Sequence, residues 1–281
     1  MPRLAANLSF LYGELPFVER FAAAGRSGFR GVEFHFPYAW PAEELARLAR
    51  DARTEIVLFN LPAGDWEAGE RGIACHPGRT AKFRDGVEQA VDYARRLGCT
   101  RLNCLAGIPP AGVPEAQARE TLLDNLRLAA ARLERAGLHL LVEPINTRDI
   151  PGFLVSRTAQ ALELLDRAGG ANLRLQYDIY HAQVMEGDLA RTLEANLGRI
   201  GHIQLADNPG RHEPGTGEIN FPFLLAHLDR IGYQGWVGCE YRPLAGTDAG
   251  LGWARSWLDA GGPDRGQPQP FRGTNPSRST I

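Results

Sequence analysis

Short apolar runs alternate with longer stretches of helical periodicity along almost the whole chain. The runs, each closed by polar residues, glycine or proline, predict strands at 4–9, 31–34, 55–59, 101–105, 138–143, 173–178, 201–205 and 236–240. Between and after them, apolar residues recurring every three or four positions predict helices near 14–25, 42–52, 79–97, 115–136, 156–168, 186–197, 220–230 and 248–259. Gly98, Gly137, Gly169 and Gly232 follow four of these helices, where a residue free to turn left-handed ends the coil. Eight strand–helix units in unbroken succession predict an α/β fold of the closed (β/α)8 kind, a TIM barrel, forming a single domain over residues 1–260. No GxGxxG follows the first strand, which argues against an open dinucleotide-binding sheet.

Two segments break the rhythm. LPAGDWEAGERGIACHPGR, at 61–79, is a long Gly-rich connection carrying Trp66, Arg71 and His76, and loops of this length in compact domains serve as lids or binding loops. Residues 261–281 repeat Pro, Gly, Ser and Arg without an apolar period, and predict a disordered tail.

In such a barrel the C-terminal ends of the strands carry the chemistry. HLLVE, LRLQYD, HIQLAD and WVGCE put Glu143, Asp178, Gln204 and Glu240 at or beside those ends. Gln204 stands between Ile203 and Leu205, so the two-residue period of a strand turns it the other way, into the lumen. Taken singly, each is as well explained as an ordinary polar residue at a strand end. As a set, three carboxylates and one amide oxygen on one rim repel one another, and this predicts a bound divalent metal.

Composition narrows the function. A net charge of −2 and a pI near 6.4 give no general attraction to nucleic acid or to anionic membranes. No run of about 18 apolar residues offers a membrane span, and no basic-then-apolar leader opens the chain. Cys75, Cys99, Cys104 and Cys239 are scattered without CxxC spacing, which fits a reducing cytoplasm. Thirty of the 31 basic residues are arginine. The one lysine, Lys82, falls on a predicted helix and not at a strand end, so chemistry through a lysine imine is excluded as the main route.

The stretches NLPAGDWEAGERGIACHP, LLVEPIN, QYDIYHAQ, GHIQLADNPGRHEPGTGEIN and GWVGCEY resemble the hydroxypyruvate isomerases, within the xylose isomerase-like barrel superfamily that also holds ketose 3-epimerases. The resemblance runs over residues 3–258, and the GDWEAGERG loop is its most discriminating piece. It implies that Glu143 and Glu240 are an acid–base pair, and that Glu143, Asp178, Gln204 and Glu240 also hold a metal. The epimerases usually carry histidine where this chain has Gln204. An all-oxygen ligand set is hard, so Mg²⁺ or Mn²⁺ is expected over Zn²⁺.

The implied reaction interconverts hydroxypyruvate and 2-hydroxy-3-oxopropanoate through an enediolate, one carboxylate removing a proton and another returning one. Such a 2-oxo acid needs a cationic partner for its own carboxylate. Arg71 in the long loop and Arg211 or His212 after the seventh strand are the candidates, and His181 is placed to bond a substrate hydroxyl. Glu33 and His35 are expected at the rim, behind the reacting groups. Plain structural roles remain open for Arg71 and His181. The rivals are an isomerase of a larger 2-oxo acid such as 2-oxo-tetronate, a ketose epimerase, an endonuclease of abasic DNA and a non-catalytic binding barrel. The endonuclease would need several histidines at strand ends and a basic face, which the chain lacks. The expected partner is thus a small 2-oxo acid, without nucleic acid or membrane, and the reading admits a homo-oligomer.

Overall fold

Eight parallel strands close into one barrel in sequence order, the first pairing with the last. The computed structural model describes residues 2–259, and the tail predicted at 261–281 lies outside the described residues. The strands are β1 Arg3–Asn7, β2 Gly31–Phe34, β3 Glu55–Asn60, β4 Arg101–Cys104, β5 His139–Val142, β6 Leu173–Asp178, β7 Ile200–Leu205 and β8 Trp236–Cys239. Around them run α1 Phe17–Arg26, α2 Ala42–Asp51, α3 Thr80–Leu97, α4 Glu115–Glu134, α5 Thr158–Ala168, α6 Ile179–Met185, α7 Leu189–Asn196, α8 Phe221–Arg230, α9 Thr247–Gly250 and α10 Arg255–Asp259. Every expected strand is present within two residues of its expected bounds.

Two helical expectations need correction. The helix expected at 248–259 is three short pieces, α9, a 3₁₀ turn over Leu251–Ala254 and α10, because Gly250 and Gly252 interrupt the coil. The expected helix at 186–197 starts later, at Leu189. Before it, the chain adds α6, a seven-residue helix too short to show a period. Its N-cap is Asp178, whose side chain accepts from the backbone of Tyr180 and His181.

The strands are apolar on nearly every position because the barrel buries both of their faces. Outward residues such as Val32, Leu102 and Leu140 join the main core under the helices. Inward, Ala5, Val57, Leu58, Leu141 and Trp236 form a smaller apolar cluster low in the lumen. Trp236 fits there because Gly31 faces it, where a Cβ would come within 2.8 Å of the indole. One step further along the strands the lumen turns polar, with Asn7, Glu33, Asn103, Gln176, His202 and Gln204 all buried. The site lies on top of this layer.

Candidate active site

The two-residue period places the expected carboxylates. Leu141 and Trp236 lie in the lumen cluster, so Glu143, two residues after the first, and Glu240, four after the second, face the same way at the top of the barrel. Gln176 on β6 is followed at the same spacing by Asp178, and His202 on β7 by Gln204. All four expected ligands are nearly inaccessible to solvent.

Glu240 is heavily supplied with donors. Arg211 Nη2 reaches its Oε1 at 2.6 Å, with His35 Nε2 at 3.6 Å, while Asn7 Nδ2 donates to Oε2 at 3.0 Å and Gln204 Nε2 donates to the same oxygen. Burial opposes ionisation, but His35 and the Arg211 guanidinium outweigh it and hold the carboxyl down at about 2. Behind it, Glu33 is wholly buried and accepts from Asn7 at 2.9 Å, Gln204 at 2.7 Å and His202 at 2.6 Å. Gly238 makes room for that carboxylate, since a Cβ there would stand 2.3 Å from its oxygens.

Gln204 is therefore turned differently from the expectation of an oxygen ligand. Its amide nitrogen faces the two carboxylates, and its oxygen accepts from Gln176 at 2.6 Å. Between two glutamates the donor end of an amide is the favoured one.

Glu143 has a poorer set of partners. Asn103 Nδ2 donates to its Oε2 at 2.8 Å, and burial, with Glu240 and Asp178 nearby, pushes its pKa well above the usual carboxylate range. Burial likewise pushes Asp178 up to about 7, against the pull of Arg211. Asp178 Oδ1 caps α6, whereas its Oδ2 is buried without a hydrogen-bond partner. His181 Nε2 stands 3.8 Å from Glu143 Oε1 and 3.7 Å from Asp178 Oδ2. Burial and Arg211 drive its pKa well below the ordinary value, so the ring is neutral. Glu143, Asp178 and His181 offer ligand atoms within 4.8 Å of one another, a group able to hold a metal ion, and the orphaned Asp178 oxygen fits that use.

A cavity of about 520 Å³ opens over these groups, bordered by Glu143, His181, Arg211 and Glu240 and roofed by Trp66 and Arg71 of the long loop. Arg71 stacks on Trp66 at 4.2 Å and donates through Nη1 to the carbonyls of Trp66 and Glu70 at 2.9 and 2.8 Å. Arg211 has φ 56° and lies between the rings of Phe10 and Tyr180, at 4.9 and 5.1 Å. Bonded to Glu240 through Nη2, it also borders the cavity. His212 points elsewhere, its Nδ1 bonding the Arg242 carbonyl at 2.7 Å, and it does not border the cavity.

The sequence reasoning missed Asn7, Asn103, Asn146, Asp149 and Gln176. Asn7 and Asn103 carried the same signal as Gln204, a lone amide among apolar strand residues. Glu33 and His35, expected at the rim, divide: His35 borders the cavity, and Glu33 lies beneath it.

A family model described as xylose isomerase-like TIM barrel matches residues 21–257. Hydroxypyruvate isomerase of Escherichia coli is 54% identical over 253 residues, covering 90% of this chain and 98% of that one. 2-oxo-tetronate isomerase of Cupriavidus necator is 50% identical over 259 residues, covering 92% and 99%. A crystal structure from Brucella melitensis, described as AP endonuclease, family 2, superposes with TM-score 0.89 at 46% identity, covering 91% and 99%.

Proposed function

The chain belongs to the xylose isomerase-like TIM barrel family, and we propose that it interconverts hydroxypyruvate and 2-hydroxy-3-oxopropanoate, with Glu143 and Glu240 exchanging the protons. The observation that carries this reading is the unequal supply of donors to two glutamates on one cavity wall. Glu240 faces Arg211, His35, Asn7 and Gln204 and is ionised, whereas Glu143 faces Asn103 and holds its proton. A base and an acid are thus ready at the same pH, as enolisation requires.

Glu240 removes a proton from C3 of hydroxypyruvate, and the electron pair moves onto the C2 carbonyl oxygen to give the enediolate. Glu143 returns a proton to C2, and the C3 hydroxyl proton passes to the C2 oxygen, leaving an aldehyde at C3. In the reverse direction the two glutamates exchange roles. His181 donates to a substrate oxygen, and Arg71, whose remaining nitrogens are uncommitted, binds the substrate carboxylate under Trp66.

Mg²⁺ or Mn²⁺ suits the oxygen-rich corner, where Asp178 would hold it through the unpartnered Oδ2, beside Glu143. Such an ion, when bound, supplies positive charge to the developing enediolate.

Incubating the purified protein with hydroxypyruvate and following the aldehyde product tests the reading, and no product with or without Mg²⁺ or Mn²⁺ defeats it. A second reading, isomerisation of a four-carbon 2-oxo acid, is favoured by the 2-oxo-tetronate isomerase relative at 50% identity, and the cavity of about 520 Å³ admits either acid. A higher kcat/KM for 2-oxo-tetronate than for hydroxypyruvate would select it.

A further inference from the structure

The connection leaving β5 reads Glu143-Pro144-Ile145-Asn146, and Asn146 is wholly buried without a part in the steps above. Its Oδ1 accepts the Asp149 backbone N–H at 2.7 Å. Its Nδ2 faces Asp149 Oδ2 at 3.2 Å and His181 Nδ1 at 2.7 Å. These contacts fix which end of the amide is which. Turned over, it would set oxygen against the Asp149 carboxylate and NH₂ against a backbone N–H, two repulsions in place of two attractions. The two hydrogens of Nδ2 then meet two acceptors.

His181 Nδ1 is one of those acceptors, so it carries no proton. An imidazolium, or the tautomer protonated at Nδ1, would press hydrogen against hydrogen at that 2.7 Å contact. The ring proton therefore sits on Nε2. That atom points toward Glu143 Oε1 and Asp178 Oδ2 at 3.8 and 3.7 Å, both too long for hydrogen bonds, so the donor is free for an incoming oxygen. A metal-binding histidine shows the reverse arrangement, because it gives its second N–H to a carboxylate or carbonyl and keeps a lone pair for the ion.

We propose that Asn146 is a positioning residue that locks His181 in the Nε2–H form, making it a fixed hydrogen-bond donor to the substrate oxygen that turns negative and removing it from the metal's ligands. This rests on the isomerase reading for the identity of that oxygen, whereas the tautomer rests on geometry alone. A fixed donor aimed at developing charge contributes about 10²–10³-fold to turnover.

The test is a ¹⁵N spectrum of the full chain labelled at histidine near neutral pH, with His181 assigned by its loss in His181→Asn. The expected result is an unprotonated Nδ1 and a protonated Nε2. A proton on Nδ1, alone or with one on Nε2, overturns the proposal. Asn146→Asp replaces the donor by an acceptor and should move the proton to Nδ1. Its kcat should fall about 10²-fold with little change in KM, and its affinity for Zn²⁺ should rise about tenfold as the Nε2 lone pair turns to Glu143 and Asp178. Parent-like turnover in Asn146→Asp with the proton on Nδ1 also overturns it. Should that variant fail to fold, the parent spectrum decides alone. A parent inactive on both 2-oxo acids but showing the Nε2–H spectrum defeats the isomerase reading and leaves the tautomer lock standing.

Discussion

Glu143 and Glu240 are chemically the same side chain, and their neighbours alone make them different. Arg211, His35, Asn7 and Gln204 all stabilise charge on Glu240. Glu143 has one amide donor and two carboxyl neighbours that disfavour its charge. Replacing either by glutamine keeps the shape and removes the proton exchange, so kcat in each variant should fall by about 10²–10⁴-fold. Glu240→Gln also deprives Arg211 of its partner at 2.6 Å, and should lose thermal stability that Glu143→Gln retains. Steady-state rates within tenfold of the parent in both variants would remove the pair from the mechanism. Gln204 shows why residue identity was not enough at this scale. Its place in the lumen followed from strand alternation, but the direction of its amide depends on Glu33, a contact from another strand that no spacing in the sequence reveals. Asn146 is a harder case, since its partners Asp149 and His181 come from a turn and from α6, and no periodicity marks either.

At the scale of elements, the long connection at 61–79 was legible as a binding loop from its length and glycines, and it does roof the cavity. Its seat was not legible, because it depends on two backbones touching. Gly72 has φ 118° and packs on the end of β4, where a Cβ would stand 2.6 Å from the Leu105 carbonyl, and Gly107 has φ 97° and faces Gly72 in return. Cys75 N–H donating to Ala106 at 3.0 Å and the Glu70–Arg79 ion pair complete the attachment. Arg71 is thereby presented beside the residue that must be glycine. Arg71→Ala should raise KM for hydroxypyruvate more than it lowers kcat, because a clamp on an unreacting carboxylate holds substrate and transition state alike. Gly72→Ala should do the same without touching a substrate-binding side chain, by lifting the loop. An unchanged KM in both variants would place the clamp elsewhere, with Arg242, also on the cavity wall, next to be tested. The eight strands were readable within two residues because burial on both faces makes each a compact apolar run. α6 was not, because one carboxylate cap and seven residues give no repeat to detect.

Over the whole molecule, the barrel encloses a polar lumen whose charges are set mainly inside it. Net charge is −2 at neutral pH and the surface ion pairs are mostly exposed, so long-range repulsion contributes little to the pH dependence of stability. The buried carboxyls contribute more. Asp178 rises from 3.8 to about 7 on folding, so between those values the folded chain holds a proton that the unfolded chain has released. Stability from this group is full below pH 3.8 and is lost as pH rises toward about 7. Glu240 acts oppositely, adding stability above pH 4.5 that disappears as pH falls toward about 2. His181, lowered well below 6.5, also favours the folded state increasingly as pH rises to that value, and would mask Asp178 in the parent alone. The difference between the parent and Asp178→Asn isolates the carboxyl, since the amide oxygen still caps α6 and no longer titrates. In chelator-treated protein, the melting temperature of Asp178→Asn relative to the parent should climb as pH rises from about 4 to about 7. Mg²⁺ or Mn²⁺ should then raise the parent and not the variant, most strongly at the upper end, where the ion meets the least competition from protons. A difference that stays flat across the window would mean that Asp178 ionises freely in the folded chain. Parent and variant gaining equally from the ion would place the metal away from the Asp178 oxygen.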